Sequence, residues 1–365
     1  MADNQFYSVD DLMALNTTYA ISIGERSRGK TYSALCWGIK MVVNSGYKDA
    51  FCYVRRWDVD LRGKRGKSLF NALETNGEIE RFTNGKWKYV HFYAGMWYFC
   101  KLDEKGNIIK SETPFCYGFS LNNMEHDKGS SYLDVKFIIF DEFISRMQYL
   151  GDEWGAFLNV ISTVVRYRND VRILMLGNTV SMENPYFHEL GIYYKAKQMK
   201  PGETILFGPS EQGMTIALEF TDNNKHGKPS DIYFDFKSAS ADMITGGAWE
   251  VGRYPRLPSW FKILPKDIVF SYFIIFYDEI IQADIVCKDN SLITYMHRKT
   301  TPIKDEDNDL IFSTEQDPRY NWRCDIMRPF DNVGKRIKDM FVSSDIYYQS
   351  NEVGEIVMNY LNYFD

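Results

Sequence analysis

The chain has 365 residues, enough for about two domains with cores of their own. Its composition is 45% apolar and 25% charged, and 25 Phe, 25 Tyr and 8 Trp exclude a disordered chain. The formal net charge of -6 excludes bulk charge as a basis for nucleic-acid binding, which would need a local basic stripe.

At the start, Met1 to Asp10 lack a basic segment followed by an apolar one, so no secretory leader is expected. Tyr19-Ala-Ile-Ser-Ile23 reads as a strand, followed by a glycine-rich turn and a helix from Lys30 to about Asn44. Ala50-Phe-Cys-Tyr-Val54 is a second strand. Arg55 to Lys67 then carry six cations in thirteen residues, interleaved with glycines that suggest a mobile loop. Trp87 to Phe99 and Ile108 to Phe119 read as antiparallel additions. Val135-Lys-Phe-Ile-Ile-Phe140 is the clearest buried strand; a helix from Trp154 to Tyr167 and a strand from Val171 to Leu176 follow.

This alternation predicts an α/β domain with a mostly parallel sheet. Lys195 to about Pro265 is rich in Gly, Pro and polar residues and reads as a linker with room for small hairpins. Beyond it, short antiparallel strands are expected at Ile268 to Ile275, Ile280 to Cys287 and Leu292 to Met296, with helices near Val333 to Phe341 and Gly354 to Leu361. The longest apolar stretch, Ile268 to Tyr277, reaches roughly half the length of a membrane helix, so no membrane partner is expected. Six cysteines without a CxxC pair suit free thiols in a reducing cytosol and argue against structural zinc. The expected division is the α/β domain over 1–195, a linker over 196–265 and a C-terminal domain over 266–365.

Gly24-Glu-Arg-Ser-Arg-Gly29-Lys30-Thr31 fits G-x-x-x-x-G-K-[ST] between a β-branched strand and a helix. Gly24 and Gly29 would let backbone N–H groups turn around the phosphates of ATP, at the positive end of the helix. Lys30 would reach the β- and γ-phosphates and the Thr31 hydroxyl would bind Mg²⁺. Arg26 and Arg28, inside the loop, face the γ-phosphate, a neighbouring subunit or solvent. At the end of the buried strand, Asp141 is placed to hold the Mg²⁺ water shell and Glu142 to orient or deprotonate an attacking water. A second carboxylate there marks the additional-strand, catalytic-glutamate class of P-loop ATPases. Asn178 or Thr179, ending another strand, is placed to sense the γ-phosphate or simply to form a turn. Arg166 and Arg168 close a helix, suiting either a neighbour's γ-phosphate or the helix dipole. The basic stretch suits either a nucleic-acid backbone or a solvated surface.

In order, these strings resemble the short genome-packaging ATPases of small tailed Bacillus-type phages, the phi-twenty-nine-like group. The carrying residues are Ile23 to Tyr32, Tyr53-Val-Arg-Arg56, Ile138 to Ile144, Arg166-Tyr-Arg168 with Val171-Arg172, Asn178-Thr-Val-Ser181 and Asn184-Pro-Tyr-Phe187. The match is dense from about residue 6 to 190 and faint beyond. The resemblance implies an ATP hydrolase that drives double-stranded DNA into a procapsid from the portal vertex. It would act as a homo-oligomeric ring, a pentamer by that likeness, in the host cytoplasm and transiently at the portal. It also implies that Arg166 acts in trans, and Lys128 matches a lysine suspected of acting across the same interface. Arg55 and Arg56 match paired arginines near the nucleotide or its neighbour, which leaves Arg62, Lys64, Arg65 and Lys67 as the DNA candidates.

The same resemblance implies a small α+β C-terminal domain of ribonuclease-H type that docks on the portal and a prohead RNA. An active nuclease needs carboxylates converging on two metals. The first strand here has no internal acid, Asp278-Glu279 falls at a turn and Asp284 stands alone, so the domain reads as a vestigial nuclease without activity. Two alternatives stay open: another P-loop translocase or helicase, and a non-hydrolysing nucleotide-gated docking protein.

Overall fold

The computed structural model describes residues 7–26, 28–126, 132–145, 149–179, 182–222, 254–288 and 291–364. They divide into two compact units. The first takes the described residues up to Ser145, from Glu153 to Met182 and from Gly191 to Asp222; the second takes residues 149–152, Glu183–Leu190, and the described residues from Tyr254 on.

The chain opens with α1 (Asp10–Ala14), β1 (Tyr19–Gly24), α2 (Lys30–Asn44) and β2 (Ala50–Arg55). Three short helices, α3 (Gly63–Ser68), α4 (Asn71–Thr75) and α5 (Glu78–Phe82), lead to β3 (Tyr89–Tyr93), β4 (Met96–Leu102), β5 (Ile108–Lys110) and β6 (Cys116–Ser120). β7 (Val135–Asp141), α6 (Glu153–Val165) and β8 (Arg172–Asn178) follow. Helix α7 (Pro185–Glu189) belongs to the second unit, after which α8 (Tyr193–Gln198), β9 (Thr204–Phe207) and β10 (Ile216–Phe220) complete the first.

The sheet of the first unit runs β3-β4-β6-β2-β7-β8-β1-β10-β9, with β5 paired to β4. From β6 to β10 all neighbours are parallel, and β8 separates β1 from β7. Strands covered on both faces read as continuous apolar runs, and Phe137, Ile138, Ile139 and Phe140 are all fully buried. Each contributes about 1.5–3 kcal/mol relative to leaving it exposed. Helix α2 turns Leu35, Ile39 and Val42 to the core at the three-to-four spacing of an amphipathic helix.

Three expectations change. Ile108 to Phe119 is not one antiparallel addition: it splits into β5 and β6, and β6 runs parallel to β2. The basic stretch is helical where a loop was expected. Gly66 is there for close approach, because a Cβ would lie 2.3 Å from the Leu61 carbonyl oxygen and 2.6 Å from the Phe92 ring. The Trp97 indole also donates to the Gly66 carbonyl at 2.8 Å. Part of the expected linker forms the β9–β10 hairpin, whose second strand extends the sheet beside β1.

The second unit contains β11 (Ile268–Phe276), β12 (Glu279–Lys288), β13 (Ser291–Arg298), β14 (Leu310–Ser313) and β15 (Trp322–Arg323). Helix α9 (Asn332–Ser343), strand β16 (Ile346–Tyr348) and helix α10 (Asn351–Asn362) close it. The sheet order is β15-β14-β11-β12-β13-β16. β11, β12 and β13 are antiparallel, β14 runs parallel to β11, β15 to β14, and β16 to β13. Sequence periodicity misses the last three strands because two to four residues carry too little alternation to read. The two helices start on side-chain caps: Asp331 accepts from the Gly334 N–H at 2.7 Å and Ser350 from the Val353 N–H at 3.2 Å. Ile337, Met340, Ile356, Val357 and Tyr360 share a buried core with Tyr272, Ile274 and Phe276 of β11. All six cysteines are free. Among the described residues no helix is long and apolar enough to cross a membrane.

Candidate active site

The strand register of the first unit brings three sequence-distant segments to one edge. Gly24 pairs with Asn178, and Asp141 with Leu176, so β1, β7 and β8 end side by side. The turn after β1 admits little besides glycine at its two ends. A Cβ on Gly24 would lie 1.8 Å from the Thr221 hydroxyl oxygen, and Gly29 has φ 89°, a left-handed conformation that costs any L side chain. Helix α2 starts at the next residue, with its N–H groups and positive dipole end facing the turn. Lys30 is buried, and its ammonium donates to the carbonyls of Gly24 at 3.1 Å and Glu25 at 2.5 Å.

Asp141 is the centre of the site. Its Oδ2 accepts from the Thr31 hydroxyl at 2.8 Å and from the Tyr53 phenol at 2.7 Å. Burial and the neighbouring carboxylate push the Tyr53 phenol well up, so it remains a donor. Arg55 lies 3.6 Å from Asp141 and 2.5 Å from the exposed Glu142 carboxylate, with Asp60 as a third acidic neighbour at 3.6 Å. Glu142 itself has φ 56°. Arg56 turns the other way: its guanidinium is buried against Glu153 and the backbone carbonyl of Phe143.

The remaining expected residues separate into distinct places. Arg28 is half-buried and paired with Glu25, its Nε at 2.8 Å, whereas Arg26 is exposed. Asn178 is half-buried beside Gly24, and the Thr179 N–H donates to the Gly24 carbonyl at 3.2 Å. Of the Arg-Tyr-Arg triplet after α6, Arg168 is bound to four backbone carbonyls, those of Tyr132, Leu133, Val135 and Val164. Arg166, at φ 51°, is exposed next to a fully exposed Tyr167. Arg62, Lys64, Arg65 and Lys67 are all exposed around α3, with Arg62 paired to Asp58 and Arg65 to Asp60 at 2.8 Å. Lys128 lies outside the described residues.

Sequence reasoning did not single out Tyr53, Asp60 or Glu153 as site residues. Only Tyr53 left a trace, as part of the Tyr-Val-Arg-Arg string.

These groups fit a polyphosphate with a divalent cation. The donors around Asp141 are hard oxygens, and Mg²⁺ typically takes one or two carboxylates with substrate phosphates and water rather than an all-protein cage. The left-handed turn at Gly29 opens the helix N-terminus to an anion.

The family model described as Podovirus DNA encapsidation protein (Gp16) matches residues 1–198. The DNA packaging protein of Bacillus phage phi29 is 27% identical over 190 residues, covering 51% of this chain and 50% of its own length. That of Bacillus phage B103 is 32% identical over 173 residues, covering 47% of each. The chain thus spans about half the length of the curated relatives it matches. A solved structure described as the Phi-28 gp11 DNA packaging motor shares the fold over 99% of this chain and 98% of its own, at TM-score 0.59 and 18% identity.

Proposed function

Since the chain belongs to the podovirus DNA encapsidation protein family, we propose that it hydrolyses ATP to drive double-stranded DNA into a procapsid. The observation that carries this reading is the 2.8 Å contact between Thr31, ending the glycine-lysine turn, and Asp141, 110 positions on. A turn that can cradle phosphates and a carboxylate that can hold Mg²⁺ share one site. The strand order, with β8 between β1 and β7, supports assignment to the additional-strand, catalytic-glutamate class of P-loop ATPases.

Lys30 and the N–H groups at the start of α2 would bind the β- and γ-phosphates, and Thr31 and Asp141 would hold Mg²⁺. A cation held by them would supply positive charge against the charge that develops on the phosphate oxygens. Glu142 would orient and deprotonate the attacking water, which requires its carboxylate to part from Arg55. Asn178 would sense the γ-phosphate. Arg166 would reach the γ-phosphate bound by an adjacent copy in a pentameric ring, with Lys128 at the same interface. Arg62, Lys64, Arg65 and Lys67 would contact the DNA backbone. The second unit reads as a vestigial ribonuclease-H-like domain docking on the portal and a prohead RNA. Support comes from its three antiparallel strands with β14 and β15 added in parallel beside the first. Its acids are already engaged: Asp284 accepts from Ser271, Gln282 and His297, and Glu279 pairs with Arg298.

Steady-state hydrolysis with procapsids, with and without duplex DNA, tests the reading. Stimulation by duplex DNA without strand separation is expected. Unwinding of a tailed duplex would favour a helicase, and nucleotide binding without turnover would favour a docking switch.

Lys30 adds a pH signature. Burial pushes its ammonium down to about 8, against the opposing pull of Asp141 and Glu25. A bound polyphosphate favours the charged form, so above pH 8 nucleotide binding should take up a proton and weaken as pH rises. Calorimetry of a non-hydrolysable ATP analogue at pH 8.5, in two buffers of different ionisation enthalpy, reads this directly. Equal heats in the two buffers would remove Lys30 from the phosphate site.

A further inference from the structure

Glu142 stands in a left-handed conformation, at φ 56°. For a residue with a side chain this conformation is strained and persists only where the surroundings over-determine it. Several bonds hold it: the Glu142 N–H donates to Asp141 Oδ1 at 3.0 Å, and Arg56 holds its carbonyl side. Arg56 Nη1 donates to the Glu142 carbonyl at 3.4 Å and Nη2 to the Phe143 carbonyl at 2.7 Å. The Phe143 N–H completes the bracket by donating to the Leu176 carbonyl of β8 at 3.3 Å.

The other edge of the same guanidinium meets Glu153, with Nε and Nη2 both 2.8 Å from Oε1. The two side chains are only 7% and 2% exposed, so neither charge has an alternative partner in water. Glu153 is the first residue of α6, and Arg166 follows the last. Thirteen residues of helix put those two ends about 20 Å apart.

We propose that Arg56 is a positioning residue: it sets the backbone from which Glu142 projects and, through Glu153, ties that turn to the helix that ends at Arg166. The inference rests on the role assigned above to Glu142. A helix is stiff along its axis, so a rotation of the Glu142 turn that drags Arg56 also displaces the end carrying Arg166. One subunit's own carboxylate and the arginine it presents outward are then mechanically joined.

The test compares Arg56→Lys with wild type in the full chain. Lysine keeps the charge but, lacking the fork, cannot reach both carbonyls and the carboxylate together. The expected result is a KM for ATP within about 2-fold of wild type and a kcat lower by about 10- to 100-fold, the cost of misplacing a catalytic group by an ångström. Amide hydrogen exchange should accelerate in residues 141–145 and 153–157 but not in α2. Wild-type kcat, or unchanged exchange in those two segments, would overturn the proposal, as would acceleration spread through α2. Should Arg56→Lys not fold, Glu153→Gln is the second variant, with the same pattern expected. The exchange result does not depend on turnover. A chain in which Glu142→Gln hydrolyses normally would therefore refute the role of Glu142 while leaving the bracket itself decided.

Discussion

Glu142→Gln is expected to lower single-turnover ATP hydrolysis by about 10²–10⁴-fold while leaving nucleotide affinity near wild type. The substitution is isosteric. Its side-chain oxygen can still accept from Arg55, which lies 2.5 Å from the native carboxylate, and the Thr31–Asp141 contact is untouched. What disappears is the ability to take a proton from water. Because the Glu142 side chain is exposed and makes no contribution to the buried core, the folded state should be little affected. Binding of a fluorescent nucleotide alongside hydrolysis separates the two effects. Turnover within about 10-fold of wild type would mean that another group acts as the base.

The second large effect concerns Arg166. Removing an arginine that stabilises the charge of phosphoryl transfer costs about 10³–10⁵ in kcat. Arg166→Ala should therefore be nearly inactive, yet fold normally, because the residue is exposed and lies beyond the last turn of α6. Mixing provides the decisive comparison. In the proposed ring, mixing Arg166→Ala and Glu142→Gln chains would set some intact carboxylates beside intact arginines of a neighbour, so activity should return although each variant alone is inactive. A mixture as inactive as its parts would place Arg166 in the same subunit's site or outside the chemistry. The structure makes Arg166 the member of the triplet to test: Arg168 already serves four backbone carbonyls, and its loss would confound catalysis with folding.

Features written in contiguous residues were legible before any coordinates. Gly24 to Thr31 carries its meaning locally, because a glycine-lysine turn between strand and helix makes the same demand on the backbone wherever it occurs. The fully buried run Phe137 to Phe140 announces a central strand for a similar reason, since both faces must be apolar. The basic stretch reads as a loop where Gly63–Ser68 is helical because glycine has two uses. Sequence shows its freedom, whereas the close approach of Leu61 and Phe92 to Gly66 is visible only after β3 and β4 are in place. The β9–β10 hairpin was hidden in a linker-like composition because parallel pairing of β10 with β1 joins residues about 200 positions apart.

By itself, the sequence therefore determined an α/β chain with a phosphate-type turn, two acids at the end of a buried strand and arginines in suggestive places. Tertiary structure decided which of those groups meet. It put Thr31 and Tyr53 on one oxygen of Asp141, sent Arg55 to Glu142 and Arg56 to Glu153, and left Arg166 exposed while binding Arg168 to backbone carbonyls. The reason is physical. Backbone propensity and hydrophobic pattern act over a few residues and are readable locally, whereas the partner of a charged side chain is set by strand order and register across the whole sheet.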